Sequence, residues 1–253
     1  MKFRRIIDHL QGQHWTAIFI DLVIVVVGVF IGIQVSNWNG ERVDRQRERS
    51  LLVDLRAEMA ESIHQTEIKQ RAFAQVERSG EKAVAYLDAG KPCTDNCWPV
   101  IVDFFNASQW QMQSVGLPTY DEMRRNGWPR QRAIVDAVEA YLRQARQISV
   151  TLQQPPAYRA LVRGLIPLAI HRPYWTNCFK LANGEESYVE DCPQGVAPEI
   201  SAAGIAAIAG NPDIHRTLTE WTGFMPGFTQ ALEEQNDAAR HALVLIDAEL
   251  ARK

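Results

Sequence analysis

The sequence holds no recognisable catalytic or cofactor signature and little excess charge of either sign. A net charge of -3 and a pI near 6.1 leave no overall basic field, which argues against a nucleic-acid partner. The six histidines, at 9, 14, 64, 171, 215 and 241, make no HExxH, no pair at helical spacing and no readable carboxylate–histidine–nucleophile cluster. His64 and His241 would suit a metal only if two distant helices brought them together, and solvated helix faces account for both more simply. The glycine-containing stretch GIAAIAGNP lacks the preceding strand and the lysine of a phosphate loop. Nothing here calls for a cofactor. Cysteine is scarce, with four residues, and the A-x-A-like site that would mark a cleavable signal peptide does not appear after the first apolar stretch.

What is present is one long apolar run. Within WTAIFIDLVIVVVGVFIGIQVSNW (Trp15 to Trp38), the 18 residues from Ile18 to Val35 are apolar except for Asp21 and Gln34. A helix of that length rises roughly 27 Å, close to the hydrocarbon thickness of a bilayer, and a tryptophan at each end suits the headgroup layer. The expected organisation is a short cytoplasmic tail (1–15), a transmembrane helix (16–38) and an extracytoplasmic domain (39–253). Lys2, Arg4 and Arg5 precede the span, but Arg42, Arg45, Arg47 and Arg49 follow it, so counting bases does not orient it.

The cysteines supply the orientation. Cys93 and Cys97 lie in KPCTDNCWP, and Cys178 and Cys192 bound CFKLANGEESYVEDC, where Asn183-Gly184 signals a turn between short strands. Local disulfides, free thiols and a four-thiolate zinc site are the three possible states. The turn-rich settings favour disulfides, and the CxxxC and Cx13C spacings lack the paired CxxC knuckles of zinc ribbons. Disulfides put the domain on the oxidising side of the membrane.

One face of the span carries its own signal. Gly28 and Gly32 form a GxxxG pair, Ser36 extends it, and Asp21 lies two turns earlier on nearly the same side. That face would pack a second copy or another membrane protein, although glycine is frequent in membrane spans. Asp21 must reach the interface, protonate or find a partner, and its place about a turn inside the boundary favours the interface.

Beyond the span the periodicity is helical. Leu52, Leu55, Met59, Ile63, Phe73, Val76, Val84 and Leu87 predict a long amphipathic helix that continues the membrane helix and stops at Gly90-Lys91-Pro92. Further helices are expected at Pro99 to Asn106, after Thr119 as N-cap with Glu122 in a capping box, from Arg130 to about Gln153, at Glu199 to Ala209, and from Asn211-Pro212 to the carboxyl end with a kink near Pro226. The expected fold is mainly α: a transmembrane helix running into a bundle-like helical domain with a small disulfide-closed hairpin. Trp110, Trp128, Trp175 and Trp221 are candidates for an aromatic pocket, although such residues more often fill cores.

The block GVFIGIQVSNWNGERVDRQRERSLLVDLRAEM resembles the hallmark of a family of bacterial single-pass membrane proteins. In that family a glycine-containing span runs through an Asn-Trp-Asn turn into a charged helix. The later TYDEMRRNGWPRQRAIVDAVEAYLRQ is similar to the family's second recurring block. The resemblance covers roughly a quarter of the chain; it implies an inner-membrane anchor and a helical domain, and no activity. The cysteine pairs are outside the pattern. The function this favours is an anchored interaction or accessory subunit, binding itself or a larger membrane complex. An extracytoplasmic sensing domain working through a partner is the alternative, and a membrane-anchored enzyme the third.

Overall fold

The computed structural model describes residues 15–114 and 116–252. Eight helices and one hairpin are found among them, so the fold is mainly α. The basic tail with Lys2, Arg4 and Arg5 lies outside the described residues. By contacts the chain divides into two compact units, Met1–Leu51 and Leu52–Lys253, each of which has its own character.

The described part of the first unit lies in helix α1 (Trp15–Ala89), whose later part belongs to the second unit. Its apolar stretch is long and apolar enough to cross a membrane, with a mean hydropathy of 2.4 over its best window, and none of that window is buried inside the protein. The expected Asn37-Trp38-Asn39 turn is not formed, because the helix runs unbroken through Gly40. Asparagine and glycine disfavour a helix interior by only about 0.5–1 kcal/mol each, too little to break a helix that propagates from both sides.

The second unit is built on an antiparallel pair, the later part of α1 against α8 (Pro212–Leu250). Contacts run in opposite directions along the two helices: Arg56 with Asp247, Glu67 with Arg240, Thr66 with Gln235, Phe73 edge-on to Phe228 at 4.8 Å, and Asp88 with His215. The helices approach closely at Gly80, where any Cβ would overlap the Thr222 side chain. Asn211 caps α8 by accepting the Asp213 N–H at 3.0 Å, with Pro212 behind it as expected. The helix continues through Pro226.

Shorter helices complete the core: α2 (Trp98–Ala107), α3 (Pro118–Arg125), α4 (Arg132–Thr151), α5 (Ala157–Leu165), α6 (Leu168–Asn177) and α7 (Pro198–Ala209). The predicted face of α4 is the buried one, with Ile134, Val138, Tyr141, Leu142, Ala145 and Ile148 all in the core. The start of α3 departs from expectation. Thr119 is inside the helix rather than its cap, and its N–H and hydroxyl both donate to the Glu58 carboxylate of α1. Glu58 of a neighbouring helix therefore joins Asp121 of the first turn in complementing the α3 dipole, in place of a capping box between Thr119 and Glu122.

Strands β1 (Phe179–Ala182) and β2 (Glu185–Tyr188) pair in the register Phe179 with Tyr188 and Ala182 with Glu185. Asn183 and Gly184, at φ 53° and 81°, supply the two left-handed residues of a tight hairpin turn. Gln75 of α1 docks the ribbon: its amide accepts the Tyr188 N–H at 3.1 Å and donates to the Tyr188 carbonyl at 3.0 Å.

Candidate functional site

Within the first unit, Asp21, Gly28, Gly32 and Ser36 are all exposed on the helix. At 100° per residue they fall within about 80° of one another, one continuous face. A Cβ at Gly28 or Gly32 would meet open space, so the backbone is bare there. This is a surface on which a second helix can come close.

In the second unit, all four cysteines are paired. Cys93–Cys97 closes the loop before α2, and Cys178–Cys192 joins the end of α6 to the segment following β2. The Val189 N–H donates to the Cys178 carbonyl at 2.7 Å, carrying the hairpin pairing up to the bridge. The described histidines do not converge. His64 pairs with Glu185 of the hairpin at 3.4 Å and His215 with Asp88 at 2.7 Å. Among the described residues no histidine, cysteine and carboxylate groups gather as a metal would require.

Two features in the second unit were not foreseen. The first is a buried polar hub at the carbonyl end of α2. A helix leaves its last carbonyls unpaired, and here three side chains satisfy them: the Tyr158 hydroxyl donates to Phe104 O at 2.9 Å, the Trp221 N–H to Ala107 O at 2.9 Å, and Arg159 to Ser108 O at 2.7 Å. Arg163, one turn beyond Arg159, donates to the Ser108 hydroxyl and to Gln109 Oε1, while its guanidinium lies over the Phe105 and Trp175 rings. Gln109 donates onward to the Tyr174 hydroxyl at 2.8 Å, which in turn donates to Asn106. Neither arginine has a carboxylate in salt-bridge range among the described residues; the negative end of the α2 dipole stands in for one. Burial, then the adjacent Arg159 charge, brings Arg163 down to about 10, still protonated at neutral pH. The hub is thus a buried helix cap.

The second feature is a cleft of about 490 Å³ between the end of α4 and the first third of α8, within the size range of small-molecule sites. Trp110 and Trp221, two of the four predicted pocket tryptophans, meet there with Tyr158 and Phe224. Trp175 instead joins the Phe105, Tyr174 and Phe179 cluster, and Trp128 is buried away from the cleft. A smaller hollow of about 230 Å³ adjoins it, sharing Thr151 and Phe224. Gly223 and Gly227 of α8 line the two hollows in turn, with open space where a Cβ would stand. Comparison with protein-family models, curated proteins and solved structures gives no match for the chain.

Proposed function

We propose that this is a single-pass protein of the bacterial inner membrane, with its amino terminus cytoplasmic and its helical domain extracytoplasmic, acting as an interaction or accessory subunit. The observation that carries the reading is the apolar stretch of α1, whose side chains from Phe19 to Val35 are all exposed. Burying them requires lipid or another protein. Full exposure of such a stretch to water would forfeit about 1.5 kcal/mol or more per large apolar side chain. Support for the orientation comes from the two local disulfides, and support for the membrane from the family resemblance in the first block.

The glycine face supplies the means of association, through self-pairing or a partner helix. Gly28→Leu with Gly32→Leu would fill the bare backbone and separate the helices. The expected outcome is a drop in the mass of the complex solubilised in mild detergent. An unchanged mass, or a wild-type chain that is already single and brings down no partner, overturns the association reading. A second reading, ligand binding by the domain, is favoured by the aromatic cleft.

A further inference from the structure

We propose that the cleft between α4 and α8 binds an organic cation with an apolar body, an ammonium group on an aromatic or aliphatic frame. This rests on the ligand-binding reading and is independent of what the membrane helix contacts.

The ring arrangement gives the first argument. Tyr158 and Trp221 are locked in place, because their polar atoms donate to the α2 carbonyls at Phe104 and Ala107. Two ring surfaces of the cleft are therefore preorganised, which lowers the entropic cost of binding. Trp110 differs. Trp98 and Trp221 both find carbonyl acceptors for their indole N–H groups, whereas the Trp110 N–H is buried with no partner among the described residues. An unpaired buried donor costs about 1–3 kcal/mol, so what Trp110 offers the cleft is the face of its ring. Phe224, stacked beside Trp221 at 6.1 Å, is 42% exposed at the mouth. Gly223 next to it lets a ligand reach the α8 backbone.

Charge selects the ligand class. Glu220 is the one formally charged residue on the described lining, and it makes no ion pair or hydrogen bond among the described residues. The adjoining hollow repeats the pattern, its one formal charge being Glu234. A carboxylate or phosphate ligand would meet an uncompensated acid and the negative faces of the rings. A cation meets attraction from both, since an ammonium over an aromatic face gains about 0.5–2 kcal/mol and the carboxylate adds to it.

The test uses the full chain in nonionic detergent, with 2-phenylethylammonium and the neutral 2-phenylethanol as probes, followed by calorimetry and tryptophan fluorescence. The ammonium probe is expected to bind about fivefold more tightly than the alcohol. Glu220→Gln should reduce that preference to the part the rings supply, without weakening the alcohol, and Glu199→Gln, outside the cleft, should leave it intact. Phe224→Ala, at an exposed position, should weaken both probes alike. Equal binding of the two probes by the wild type, or a preference that Glu220→Gln leaves undiminished, overturns the cation assignment while leaving a ligand cleft. Binding of neither probe overturns the ligand-binding reading with it.

Discussion

A carboxylate taken part-way out of water opposes folding unless its partners make up the lost hydration, and Asp103 of α2 is such a group. Burial raises it from its ordinary value to about 6; the nearby Lys82 charge pulls it back down, and Glu190 and Asp191 push it further up. Between roughly pH 4 and 6 the folded protein holds a proton on Asp103 that the unfolded chain has lost, so stability falls as pH rises through that window and stays lower above it. Asp103→Asn, with the same shape and no charge, is expected to stabilise the domain at pH 7 by about 1 kcal/mol, allowing for screening at its part-exposed edge. At pH 4 the gain should vanish. Urea unfolding at the two pH values measures the difference, and an equal effect at both would show that the charge is not its source. Lys82 and Arg78 would still hold Glu190 in the variant, since those pairs, at 2.8 and 3.2 Å, do not pass through Asp103.

At the scale of elements, the hairpin and the loop before α2 are each tied by a bridge across a short separation, 14 residues for Cys178–Cys192 and four for Cys93–Cys97. Loop-closure entropy makes the longer bridge worth about 3 kcal/mol and the shorter about 2. Paired Cys→Ser variants should therefore lose stability in that order, read by thermal or urea unfolding; the reverse order would mean that the bridges act through native contacts and not through the unfolded chain. Both bridges were legible in the sequence, because a turn signal and a short spacing are local facts. So was the α4 face, where six apolar residues at helical spacing leave one way to fold them inward. The Asn-Trp-Asn turn was misread for the converse reason: local propensities of a fraction of a kcal/mol yield to helix on both sides. Capping of α3 by Glu58, the α2 hub and the cleft were illegible, since each joins residues 50 or more positions apart. The only hint of the hub was a pair of arginines one turn apart beside buried Tyr158 and Val162. Trp110 and Trp221 were two of four tryptophans named as pocket candidates against a preferred core role, and nothing in the linear order separated them from Trp128 and Trp175.

For the whole molecule, the decisive question is where the second unit folds. Together the two bridges contribute roughly 5 kcal/mol if they act independently, against a net stability of about 5–15 kcal/mol for a domain of ordinary size. A chain that keeps residues 46–253 without the apolar stretch should thus behave very differently in two compartments. Exported to an oxidising one, it should fold with both bridges formed and resist protease. Made in a reducing cytosol, it loses the constraint on its unfolded chain, and a larger open population should be cut correspondingly faster. The rate of limited proteolysis, measured on the two preparations with and without added reductant, distinguishes the cases. Resistance that is equal in both, and indifferent to reductant, would remove the chemical basis for placing the domain outside the cytoplasm, because a fold that does not need its disulfides gives no reason to prefer the side where they form.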